Sequence, residues 1–251
     1  MTPLRSGPLV AWTNAWLDGQ VASDEVLRAV AGSDAPHRVS GLDPDAGLDD
    51  AAEPLSALLI RWRRAGEPVR LVLPVAGDVR GLPGPAVFRA SALDLGEAVV
   101  GGGIGVVPEV VDHSPSSAPT EVTWLAMEIT MSPPDFVGLG DALYELTTAI
   151  RESASALAAA DVAGWSAELA GALQQARRAG ERLVLPPGYP PRAVALIAQA
   201  QRLQAVLDLA DVDPAGGAVD RMGMAARASA LRPLASAVRR ALVAGYNAPA
   251  P

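Results

Sequence analysis

The stretch EAVVGGGIGVVPEVV, residues 97–111, decides how the first half of this chain is read. Val99 and Val100 on one side and Ile104, Val106 and Val107 on the other are β-branched runs, and three glycines separate them. Two strands with glycines between them make a hairpin, because the tight turn needs residues that accept positive φ. A glycine loop that cradles phosphate must instead open a helix, whose first N–H groups point at the anion. Here Val106, Val107 and Pro108 continue as strand. Gly101, Gly102 and Gly103 are therefore expected at a hairpin tip, and their binding reading is a tip that closes over a ligand.

Strand signals extend outward from this hairpin. Val69 to Val75, Ala86 to Ala92 and Val122 to Thr130 are apolar or alternating runs bounded by Gly, Pro or Ser, and His37 opens a further strand after Pro36. Short links between them favour antiparallel pairing, since a parallel pair needs a long crossover. Helical spacing flanks them. Leu9, Trp12, Trp16 and Leu17 form one set; Ser23 is placed to cap Asp24 to Ala31; Leu55, Leu58, Leu59 and Trp62 form a third stripe, closed by Gly66.

From Gly138 the period is helical almost throughout. Leu139, Leu143, Leu146, Ile150 and Leu157 mark one helix, Leu169 and Leu173 a second, and Val194, Ile197, Leu203, Val206 and Leu207 a third begun by Pro190 or Pro191. Leu231, Leu234, Val238 and Leu242 mark a fourth, with a bend expected at Pro233. The fold class that follows is α+β: an antiparallel sheet with small helices in residues 1–135, packed against a helical bundle in residues 136–251. One echo crosses that division. RRAGE at 63–67 and RLVLP at 70–74 recur as RRAGERLVLP at 177–186, so a duplicated unit would add Leu183 to Leu185 to the sheet as a strand.

Composition narrows the chemistry. The chain has no cysteine, two histidines (His37 and His113), and arginine at all 20 basic positions. Without lysine there is no P-loop, no kinase strand lysine and no pyridoxal aldimine, and without cysteine there is no thiolate nucleophile or thiolate zinc site. No cofactor and no metal is expected. Asp43, Asp45, Asp49 and Asp50 invite a calcium loop, but Leu48 stands where the required glycine would be and Pro54 where the bidentate glutamate would be. The net charge of −8 argues against nucleic acid, which needs a basic footprint. No window reaches the apolar length of a membrane span, and the N-terminal stretch is broken by Thr13, Asn14 and Asp18 before it could serve as a signal core. A cytoplasmic, soluble protein is expected.

The site residues that remain are weakly marked. Asp112 and His113 are adjacent and serve as the catalytic candidates, although neighbouring side chains diverge and triads assemble from distant positions. Glu109 with Asp112 and Glu121 with Glu128 flank strands without forming an evident acid–base pair. Arg221, Arg232 and Arg239 are spaced 11 and 7 residues apart, a basic ridge on one side of the last helix. Tyr189, in LPPGYPPRA, is expected to be exposed, and the five tryptophans to be mostly buried anchors, any exposed one marking a contact surface. This inventory fits a non-catalytic protein-binding or adaptor module, with a protein partner or a second copy of the chain. The competing reading is a small-molecule hydrolase or transferase that uses carboxylates and a histidine.

Overall fold

The computed structural model describes residues 4–43, 52–111, 119–131, 133, 135, 137–159, 184–212 and 221–249, and of 211, 212, 221 and 222 the backbone alone. The chain divides into two compact units: Pro3–Asp135 together with Val184–Tyr189, and Phe136–Leu183 together with Pro190–Ala248.

The first unit is built on a six-stranded sheet. Its strands are β1 (Arg38–Ser40), β2 (Glu53–Pro54), β3 (Arg70–Val72), β4 (Ala98–Gly101), β5 (Ile104–Val111) and β6 (Glu121–Glu128), in the order β2-β1-β6-β5-β4-β3. The hairpin at 97–111 forms as read, with Gly101 opposite Ile104. Gly102 and Gly103 make the turn at φ +55° and +76°, the backbone that a two-residue primed turn demands. Pairing is antiparallel in all but one case: β1 runs parallel to β6, with Val39 opposite Trp124. The sheet is thus mixed. The long excursion between residues 40 and 121 supplies the crossover that a parallel pair requires.

Helices cover both faces. On one face lies α4 (Ala86–Leu95), whose Phe88 and Ala92 pack with Val72, Leu82, Ala98, Val100, Val107 and Ile129. The strand expected at 86–92 is therefore a helix. Pro85 precedes it in extended backbone, Gly96 ends it at φ +73°, and Phe88 and Ala92 are buried at a spacing of four, the period of a helix and not of a half-buried strand. Gly105 lets the helix approach: a Cβ there would lie 2.5 Å from the Phe88 ring. On the other face, by alternation along β4, β5 and β6, lie Val99, Val106 and Trp124. Here pack α1 (Ser6–Leu17), α2 (Ser23–Ala31) and α3 (Leu55–Ala65). Leu9, Leu58, Leu59 and Trp62 are buried as their spacing predicts, and Arg63 stacks over the half-buried Trp16 ring at 4.6 Å.

The second unit, among the described residues, comprises α5 (Leu139–Ala159), α6 (Pro191–Val212) and α7 (Arg221–Tyr246), with α5 and α6 each packed on α7. Pro191 opens α6, where its missing donor costs nothing, and Pro233 lies inside a continuous α7. Leu234, Val238 and Leu242 are buried. On α5 the buried positions are Ala142, Leu146, Ala149 and Ser153, and Leu143 is exposed, so the expected stripe is rotated toward small residues. The second helix of the expected bundle, with Leu169, Leu173 and the repeated RRAGER, lies outside the described residues. Val184 and Leu185 are irregular backbone and add no strand to the sheet.

Candidate functional site

The buried ionic groups of the first unit converge where α1 begins. Arg5, just ahead of α1 and buried, sends its Nε to Asp34 Oδ2 at 2.8 Å. Asp34 follows α2 in the turn that leads to β1. His37, three residues on, is buried and directs Nε2 at the same Asp34 oxygen at 3.4 Å. Its other nitrogen, Nδ1, accepts the Trp124 indole N–H at 3.2 Å. An indole N–H only donates, so Nδ1 is unprotonated and the proton sits on Nε2, facing Asp34. Burial holds His37 below the ordinary imidazole value; Asp34 pulls upward by hydrogen bond and charge, and Arg5 pushes down. His37 is accordingly neutral, with both nitrogens engaged.

Glu97 completes the group from the turn between α4 and β4. Its Oε2 accepts the backbone N–H groups of Arg5 at 3.1 Å and Ser6 at 2.7 Å, and so caps α1 from 91 residues away. Burial pushes its carboxyl above the ordinary glutamate value, against the pull of those N–H groups and of Arg5. Arg5, Asp34, His37, Glu97 and Trp124 thus tie the start of α1 to the sheet through polar groups that satisfy one another. A general base needs a free lone pair within reach of a substrate proton. The lone pair of His37 is taken by Trp124.

Other residues singled out from the sequence fall elsewhere. Gly101 ends β4 and its carbonyl accepts the Trp62 indole N–H at 3.1 Å. A Cβ on Gly102 would lie 2.6 Å from Ala65 Cβ, so the hairpin tip seats against the end of α3. Asp112 and His113 lie outside the described residues. Arg232 is exposed on α7, Arg239 is half-buried, and Arg221 is the first residue of that helix, its side chain outside the description. Tyr189 is half-buried, not exposed, and burial raises its phenol. Among the described residues no three His, Asp or Glu side chains gather to hold a metal ion, and no helix is long and apolar enough to cross a membrane.

Exposed apolar side chains form a second feature. Val87 is 61% exposed and Leu93 37% exposed on α4, and Val79, Val75 and Met131 are also exposed. The loop carrying Val75 and Val79 leads into α4, and its Gly84 pairs with Thr130, next to Met131. Ala86, Ala90 and Leu93 are spaced four and three residues apart, so they share one face, opposite Phe88 and Ala92. α4 is apolar on both sides.

These features define a two-unit α+β protein with a buried polar network at the start of its first helix and an apolar outer face on one helix of the sheet unit. The chain belongs to the Rv1486c-like family: residues 6–137 match the N-terminal domain of the Rv1486c-like protein and residues 140–243 its C-terminal domain. It is 30% identical over 274 residues to Uncharacterized protein Rv1486c of Mycobacterium tuberculosis, covering 96% of this chain and 95% of that one. Uncharacterized protein ML1804 of Mycobacterium leprae is 27% identical over 283 residues, with 96% and 95% covered. Uncharacterized protein MAV321 of Mycobacterium avium is 30% identical over 234 residues, with 79% and 76% covered. No solved structure matches the chain.

Proposed function

We propose that this chain is a non-catalytic, cytoplasmic protein-binding module that holds its partner on the outer face of α4. The observation that carries this reading is the apolar stripe Ala86, Ala90 and Leu93, flanked by Val87, on a helix whose opposite side already supplies Phe88 and Ala92 to the core. A surface helix ordinarily turns polar residues outward. Here Arg89 and Asp94 are the charged residues of the helix, which leaves an apolar strip with a polar rim, the composition of a recognition surface. The engagement of both His37 nitrogens supports the same reading, because it leaves that imidazole no base to offer.

The test places a photo-crosslinking residue at Val87 in cells that make the protein, with Ala90→Glu as the disrupting variant. A discrete adduct, lost on Ala90→Glu while the thermal midpoint stays within about 2 °C, is the expected result; an exposed substitution changes stability by no more than about 0.5 kcal/mol. If Ala90→Glu leaves the adduct unchanged, α4 is not the contact. Saturable thermal stabilisation by a metabolite, with no adduct, would favour the enzyme reading.

A further inference from the structure

One of the polar paths that tie the start of α1 to the sheet, beside the Glu97 cap, passes through an unprotonated nitrogen of His37. From Arg5, the residue leading into α1, the path runs 2.8 Å to Asp34, 3.4 Å on to His37 Nε2, and from His37 Nδ1 3.2 Å to the Trp124 N–H on β6. Every member except Nδ1 has a fixed role. Arg5 and the indole N–H donate, and the Asp34 carboxylate accepts.

We propose that His37 is an acid-sensitive latch: proton uptake at Nδ1 removes the acceptor for the Trp124 N–H, sets a second cation beside Arg5 on Asp34, and loosens α1 from the sheet. With Nδ1 protonated, two N–H groups would face each other across 3.2 Å in a buried site, and the Trp124 N–H would lose its acceptor. The imidazolium would then share Asp34 with the Arg5 guanidinium, whose charge repels that of the ring. The charged and titratable groups around the ring are Arg5 from the start of α1, Asp34 from the turn before β1, and, beyond Arg5, Glu97 from the turn before β4. Arg38, next in the chain, is exposed.

The direction follows from linkage. His37 takes up its proton less readily in the closed form than when released, so acid favours release between 6.5 and the lower value of the closed form. Glu97 acts in the opposite sense. Buried, it takes up a proton more readily when closed, which favours the closed form as pH falls toward 4.5. The contribution of His37 is therefore read as a difference between the wild type and a variant in which Glu97 is untouched.

The experiment measures hydrogen-exchange protection of the α1 amides in the full chain between pH 8 and pH 5, in the wild type and in His37→Gln, corrected for intrinsic exchange. Gln does not titrate and can still donate to Asp34. The expected result is that the wild type loses α1 protection relative to His37→Gln by roughly tenfold per pH unit across the window below 6.5, the slope of one linked proton. Superimposable profiles would overturn the latch. If His37→Gln does not fold, the wild type decides by NMR, with His113→Asn assigning the two imidazole signals. A His37 titration below 6.5 that coincides with loss of α1 protection supports the latch. A titration at 6.5 or above, or one with α1 protection unchanged, overturns it.

Discussion

The two units reach their cores by different means. In the sheet unit a few large side chains each occupy one position that nothing else fills. Trp62 is fully buried and bonded to Gly101 O, Trp124 is fully buried and bonded to His37, and Phe88 sits over Gly105. Trp12 is buried and donates to Val184 O. In the helical unit the buried residues are mostly Ala with Leu, Ile and Val, such as Ala142, Leu146 and Ala149, Ala193, Leu196, Ile197 and Ala200, and Ala237, Val238, Ala241 and Leu242, with one large aromatic, Tyr246, which accepts from Gln201 Nε2 at 3.1 Å. A core made of unique contacts has one solution and fails sharply, whereas small repeated side chains let helices shift against one another at low cost.

The largest expected break of that contrast is Trp62→Ala. Truncating a buried aromatic costs about 3–5 kcal/mol, and the Gly101 carbonyl loses its donor as well. In calorimetry of the full chain the sheet unit should lose its transition or drop far below the helical one, while far-UV helicity from α5, α6 and α7 survives. If both units melt together, the distinction between them fails. Gly105→Ala comes next. Its Cβ would fall 2.5 Å from a ring in a packed core, an overpacking worth about 1–3 kcal/mol, read as a lower denaturant midpoint for the sheet unit alone.

The same contrast explains what could be read from the residues beforehand. Helices α1, α3 and α7, the glycine hairpin and β5 were readable because their signals are local: a spacing of three and four, a glycine stop, a β-branched run. α4 was not, because Ala-Val-Phe-Arg-Ala alternates well enough to suggest a strand, and its helical period shows only once Phe88 and Ala92 are known to share the core. The parallel pairing of β1 with β6 joins residues more than 80 apart and leaves no local mark. Of the polar network, Asp34 and His37 lie three residues apart, but Arg5, Glu97 and Trp124 come from distant elements, and only the folded sheet brings them together. On α5 the leucine stripe misled, because the face against α7 is chosen for close approach by Ala142 and Ala149 and not for bulk.

That choice of small residues sets the third prediction. Gly245 on α7 meets α6 so closely that a Cβ would lie 2.5 Å from Ile197 Cγ1. Gly245→Ala adds a methyl group to the contact but gains helix propensity of up to about 1 kcal/mol, so the helical unit should lose only about 1 kcal/mol as Ile197 turns aside. A loss as large as that of Gly105→Ala would mean that the helical core is as exacting as the sheet core.

The smallest effect is expected at the ion pair that links α5 to α7. Arg240 reaches Glu145 at 2.9 Å, with the two side chains 29% and 35% exposed. Water competes for both charges, and pairs of this kind are worth about 0–1 kcal/mol, less in salt. Glu145→Gln should therefore lower the midpoint of the helical unit by no more than about 3 °C at low ionic strength, a difference that fades as salt is raised. A larger loss that persists in high salt would show that Arg240, once deprived of its partner, is held where solvent cannot reach it. The helical unit would then depend on a specific polar contact as strictly as the sheet unit depends on His37 and Trp124.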